Sequence, residues 1–288
     1  MENSFHSIIE MARANYHKEL LQSILTVDKE GFPSNADKHS SLSTRIAQGI
    51  TDLLKTNIRP KEVGQTSGRK FEIINMQFLQ QVFPHIEIFR PGEWCIQRLG
   101  NKNRTTISDF EQYAHLADLE ELAQNNNVLA AALGNDYMVN PDIVISRSPL
   151  EDEDLNAHGT LVDDTFARKT MLRKTNGGSA ILHASISSKW TIRSDRSQNS
   201  RTEALNLIRN RKGHLPHIII VTAEPMPSRI ASVALGTGDI DCVYHFALNE
   251  LIQAVEQIGS EDSMEILHIM IDGKRLKDIS DLPFDLIV

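Results

Sequence analysis

The chain has 288 residues, 40% of them hydrophobic, and a formal net charge of −8 at pH 7. That apolar content argues against a disordered chain, and no apolar run approaches the roughly 18 residues of a membrane-spanning helix. The N-terminal MENSFHSIIEMARANYHKEL lacks the apolar core of a secretory leader, so a cytoplasmic protein is expected. At about 150 residues per domain the length fits one large domain or two small ones. No linker or internal repeat divides it, and a single domain over 1–288 is expected. Cys95 and Cys242 lie far apart without CxxC or Cys/His spacing, which predicts buried free thiols rather than a disulfide or a zinc site.

Residues 5–25 are expected to form a helix, followed by the polar, turn-rich GFPSNADKHSS. A second helix is predicted near 44–54. A third is predicted over 70–83, where Phe71, Ile74, Phe78 and Val82 make an apolar stripe that Pro84 should stop. HIEIF at 85–89 and EWCIQRL at 93–99 read as strands joined by a turn at Arg90-Pro91-Gly92. Helices recur through 110–134. DIVISR at 142–147, ILHASIS at 181–187, HIIIVTA at 217–223, CVYHFAL at 242–248 and ILHIMID at 266–272 read as further strands. The third of these is apolar enough for a strand covered on both faces. Helical stretches at 198–212, 226–235 and 247–258 alternate with them, which predicts an α/β protein with a central sheet.

Charge is distributed unevenly. Between Arg168 and Gly213 there are eleven lysines and arginines against two acids, a local +9 within a chain of −8. EDED at 151–154 reads as a solvated face, but the basic window wraps strand-like and helix-like segments and points to a local polyanion site. Pro141-Asp142 opens a strand and sets a carboxylate at its end. Strand alternation projects Ser187 and Lys189 from one face and Ser188 from the other. Glu203 follows in a helix with Ser197, Asn199 or Ser200 as candidate caps, and a helix folded back beside its strand would bring Glu203 toward Asp142 and Lys189. Two carboxylates and an ammonium suit Mg²⁺-assisted hydrolysis of a phosphodiester, because magnesium takes hard oxygen ligands and keeps several waters. Directly afterwards come Arg193, Asp195 and Arg196. Arginine bonds bidentately to guanine and aspartate accepts from cytosine N4, so the three match a G·C-rich duplex. GTGD at 236–239 and GKR at 273–275 lack the spacing of nucleotide-binding loops, and Trp190 is expected in the core or an interface.

PD at 141–142, SSK at 187–189, KWTIRSDR at 189–196 and Glu203 together resemble the PD...SxK...E variant of the PD-(D/E)xK nucleases, as found in NgoMIV-type type II restriction endonucleases that read CCGG-core palindromes. The resemblance extends through GQTSG at 64–68, EQYAHLADL at 111–119, RNRKGHLPH, VTAEPMPSRI and GKRLKDISDLP. It implies a restriction-endonuclease-like core, with a central mixed β-sheet flanked by helices. It also implies Asp142 and Glu203 as ligands of Mg²⁺, Lys189 as the catalytic lysine, and Ser187 as a partner within the motif. Glu72 matches a family acid near the active site. Arg193, Asp195 and Arg196 match readers of the core bases. Gln65 and a residue of 34–41, either His39 or Ser40, match contacts to the outer base pair. The implied reaction is hydrolysis of double-stranded DNA at GCCGGC after the first G, leaving 5′ phosphates and four-base 5′ overhangs. A palindrome calls for a homodimer at least, and the resemblance implies a homotetramer. A structure-selective repair nuclease and a non-cutting DNA-binding regulator are the alternatives.

Overall fold

The computed structural model describes residues 7–55, 64–99, 106–134, 138–236 and 238–288, without the side chains of 64–65, 106 and 194–197. In chain order the helices and strands are α1 (Ile8–Ser23), α2 (Ser41–Leu53), α3 (Gly64–Ile86), β1 (Trp94–Arg98), α4 (His115–Gln124), α5 (Asn127–Leu133), β2 (Ile143–Arg147), α6 (Asp152–Leu155), β3 (Ile181–Lys189), α7 (Ser194–Asn210), β4 (His217–Thr222), α8 (Pro227–Ala234), β5 (Cys242–His245), α9 (Leu248–Ile258), α10 (Glu261–Asp272), β6 (Leu276–Asp278) and α11 (Leu282–Asp285). The strands follow chain order in one six-stranded sheet. It is mixed: β1 runs antiparallel to β2, whereas β4, β5 and β6 are parallel. No helix among the described residues is long and apolar enough to cross a membrane.

Two compact units are distinguished. The first comprises Met1–Arg90, Ile186–Arg201 and Ile218–Val288. Its β4 is buried from Ile218 to Thr222, as the apolar run predicts. Helix α1 packs on α3, and α2 packs on α9. The approach of the last pair needs a glycine: a Cβ on Gly49 would stand 2.7 Å from the Cβ of Ala254. Ile46 and Ile50 are fully buried on α2, each contributing about 1.5–3 kcal/mol. Arg13 of α1 donates to both Glu250 and Asp278, which ties three elements together.

The second unit comprises Pro91–Ser185 and Thr202–His217. There the carboxamide of Gln112 donates to the Leu182 carbonyl at 2.7 Å and accepts from the Leu182 amide at 2.9 Å, so it pairs with β3 as a neighbouring strand would. The Tyr113 hydroxyl donates to the Leu207 carbonyl at 3.0 Å and anchors the end of α7.

Several expectations need correction. HIEIF is not a strand: α3 runs through Pro84 to Ile86, and Glu87–Phe89 is a 3₁₀ turn. Pro84 lies on the exposed side two residues from the helix end, while Phe83 and Ile86 on either side are buried and hold the last turn. ILHIMID belongs to α10. Its buried residues Ser263, Leu267 and Met270 repeat at helical spacing, and short apolar runs do not separate helix from strand by pattern alone. The last strand is instead the three-residue β6. Cys242 is buried, but Cys95 is exposed, because β1 is an edge strand with Cys95 and Gln97 on its open face.

Candidate functional site

In the first unit, the end of β3 carries the predicted motif. Ser187 and Lys189 are half-buried and Ser188 is buried, the alternation that places the first two on one face. From the buried face, the Asn75 amide nitrogen donates to the Ser188 hydroxyl at 3.0 Å, and the Tyr16 hydroxyl donates to the Asn75 carbonyl oxygen at 2.7 Å. Trp190 is buried, edge-on to Phe71 with ring centroids 5.2 Å apart, so it is core. Glu72, next to Phe71 on α3, is half-buried.

The strand does not end freely. The Lys189 carbonyl accepts from the Thr222 hydroxyl at 2.8 Å and from the Ala223 amide at 3.2 Å. Three residues on, the Ile192 amide donates to the Glu224 carboxylate at 2.8 Å. Thr222 at the end of β4, with Ala223 and Glu224 just past it, thus ties the chain at Lys189 and at Ile192, directly before Arg193. Helix α7 begins at Ser194, earlier than predicted, so Asp195 and Arg196 lie in its first turn rather than in a loop.

Arg193 is exposed and lines a cleft of about 690 Å³ together with Asp37, His39, Gln198, Ser228 and Arg229. Arg229 donates to Asp37 and stands 3.8 Å from Glu224. That guanidinium, through its hydrogen bond, holds the Asp37 carboxyl below its usual range. Glu224 is fully buried, and burial pushes its carboxyl up to about 7 against the amides of Ile192 and Met226 and the charge of Arg229, which favour the anion. His39 faces the cleft, whereas the Ser40 hydroxyl accepts from the Ser43 amide at 3.2 Å and caps α2. Gln65 falls in the first turn of α3, its side chain outside the described residues.

In the second unit, Asp142 directly precedes β2, half-buried, and its carbonyl accepts from the Leu99 amide at 3.2 Å. Glu203 is half-buried on α7 beside the buried Ala204. Both are carboxylates, with hard oxygens that suit a magnesium ion. Among the described residues no three His, Cys, Asp or Glu side chains gather as a metal site.

A family model described as "NgoMIV restriction enzyme" matches residues 16–288. The chain belongs to the NgoMIV restriction enzyme family. The "Type II restriction enzyme NgoMIV" of Neisseria gonorrhoeae is 52% identical over 278 residues, covering 96% of this chain and 97% of that protein. A solved structure titled "Restriction endonuclease PspGI-substrate DNA complex" is 18% identical and covers 97% of this chain and 90% of its own, at a TM-score of 0.25, too low to carry a structural argument. The chain is therefore a type II restriction endonuclease, a DNA-binding phosphodiester hydrolase with the restriction-endonuclease-like core.

For an NgoMIV-family enzyme the basic window needs refinement, because part of it is structural. Arg173 is buried against Asp152, Lys174 pairs with Glu151, and Arg201 donates to the Ser232 and Leu235 carbonyls at the C-terminal end of α8. Conversely, local pattern does not single out Asp37 and Arg229 in the cleft or the buried Glu224 behind them. The one sequence signal was an acid and an arginine directly after the apolar run of β4, in VTAEPMPSR.

Proposed function

We propose that this restriction enzyme hydrolyses double-stranded DNA at a CCGG-core palindrome, GCCGGC, cutting after the first G to leave 5′ phosphates and four-base 5′ overhangs. The observation that carries this reading is the tied segment from Lys189 to Arg193, which joins the lysine of the catalytic motif to an arginine in a polar cleft only four residues away. Arg193, with Asp195, Arg196 and Arg229 beside it in the chain or the cleft, reads base edges, since guanidinium and carboxylate groups match guanine and cytosine in the major groove. His39, Ser40 and Gln65 contribute at the outer pair. Asp142 and Glu203 would hold Mg²⁺, which when bound supplies a water of lowered pKa and offsets phosphate charge. Lys189 stabilises negative charge on the phosphoryl oxygens as the 3′ oxygen departs. Ser187 and Glu72 orient these groups. The enzyme acts in the cytoplasm as one nuclease domain per chain. Two-fold sites require a homodimer, and a homotetramer would engage two sites.

The test is digestion of sequenced plasmid DNA with Mg²⁺ beside an EDTA control, with every end mapped. Metal-dependent cuts confined to GCCGGC support the reading. Cuts at CCGG with other flanks keep the reaction and remove the outer-pair assignments, and cutting governed by forks or nicks instead of sequence overturns it.

A further inference from the structure

The cleft that contains Arg193 has a buried acid behind it for which the reaction outlined above has no use. The two oxygens of Glu224 have separate tasks: one accepts from the Ile192 amide at 2.8 Å, directly before Arg193. The other accepts from the Met226 amide at 3.1 Å and stands 3.8 Å from the Arg229 guanidinium. The residue is 0% exposed, so it touches no DNA itself.

Its own backbone is fixed from both sides. The Glu224 amide donates to the Thr222 hydroxyl at 3.1 Å. His245 Nδ1 accepts from the Ala247 amide at 3.2 Å, which leaves Nε2 to donate to the Glu224 carbonyl, also at 3.2 Å. Nearby, the Asn35 amide nitrogen donates to the Ala223 carbonyl at 2.8 Å, so the 34–40 segment that supplies Asp37 and His39 is tied to the same point. A carboxylate accepts at two oxygens, whereas a glutamine offers one acceptor and one donor, so only an acid serves both sides at once.

We propose that Glu224 is a positioning residue for sequence reading: its carboxylate clamps the backbone ahead of Arg193 to the Arg229 guanidinium and so sets the two arginines in register with one another. This rests on Arg193 and Arg229 being base readers. Discrimination then depends on the charge of a group that never meets the DNA. The charged and titratable groups around it are Arg229 on α8, Asp37 and His39 from the 34–40 segment, Arg193 after β3, and His245 at the end of β5, held neutral by burial. Protonation of Glu224 weakens both of its links, and burial sets that step near pH 7.

The test measures kcat/KM on duplexes carrying the mapped site and single-pair variants of it, on either side of pH 7, for the wild type, Glu224→Gln, Glu224→Asp and Arg193→Ala. In the wild type the ratio of cognate to variant cleavage is expected to fall as pH drops through 7. In Glu224→Gln it should be about tenfold lower above pH 7 and no longer change through that step, with the loss in KM for the cognate site greater than in kcat. Glu224→Asp, which keeps the charge, should recover part of the ratio. A pH step that persists in Glu224→Gln belongs to His39 or another group and overturns the proposal. Wild-type discrimination in Glu224→Gln beside lost discrimination in Arg193→Ala also overturns it while leaving the base-reading assignment intact. Retained discrimination in Arg193→Ala overturns that assignment and the proposal with it. If Glu224→Gln does not fold, a wild-type ratio that is flat across pH 7 is the overturning result.

Discussion

Thr222 is the sharpest test of how the end of β3 is held. It is 0% exposed, and its hydroxyl both donates to the Lys189 carbonyl at 2.8 Å and accepts from the Glu224 amide at 3.1 Å. Thr222→Val keeps the shape and removes both bonds. The Lys189 carbonyl retains the Ala223 amide at 3.2 Å, so the loss on that side is about 1 kcal/mol. On the other side the Glu224 amide is left buried without that acceptor, at about 1–3 kcal/mol. The variant should therefore unfold about 2–4 kcal/mol more easily, read as a lower urea midpoint with an unchanged slope. Because the carbonyl that loses one of its two donors belongs to Lys189, single-turnover cleavage should slow at saturating DNA while binding holds. A loss below about 1 kcal/mol together with an unchanged cleavage rate would refute the idea that the end of β4 positions this strand end.

Asp142→Ala is expected to abolish cleavage and keep site-specific binding in a gel-shift assay; cleavage equal to the wild type would remove Asp142 from the metal site. Arg193→Ala should cost about 1–3 kcal/mol of discrimination at one G·C pair, measured as relative cleavage of a library randomised over the site, and unchanged preference would refute its role. Arg13→Met should destabilise by about 3–5 kcal/mol at neutral pH, since it strands two partly buried carboxylates. Burial alone would raise Asp278 and Glu250, but the bonds and charge of Arg13 hold both below their usual range. The stability they contribute is therefore present above the unfolded carboxyl value and lost as pH falls through the lower folded values. Without Arg13 both carboxyls rise and take up protons readily, so the deficit in urea titrations should shrink toward acid pH; a pH-independent deficit would contradict the network.

What could be read locally and what could not divide along one line. The alternation at Ser187, Ser188 and Lys189 and the burial of Trp190 follow from a two-residue period and a large apolar side chain, which act over a few residues. The apolar stripe of α3 was likewise legible at Phe71, Ile74, Phe78 and Val82, all buried. Failures came where tertiary contacts decide. In α10 a run of apolar residues is helical because only the Leu267 and Met270 side is covered, leaving Ile269 51% exposed. Pro84 did not stop α3 because packing of its neighbours outweighed one missing amide donor.

The basic window is the most instructive case, because its excess charge was visible while the use of each charge was not. Arg173 and Arg201 are committed to a carboxylate and to helix-end carbonyls, and Arg193 is exposed in a cleft. Its companion Arg229 lies outside the window and is paired with Asp37 across 192 residues of sequence, a separation that no spacing rule spans. A charge count therefore finds an excess of cations in one stretch of chain and nothing more. Which arginines are fixed relative to one another is decided by the buried acid between them, and Glu224 is visible in the sequence only as an acid directly after an apolar strand.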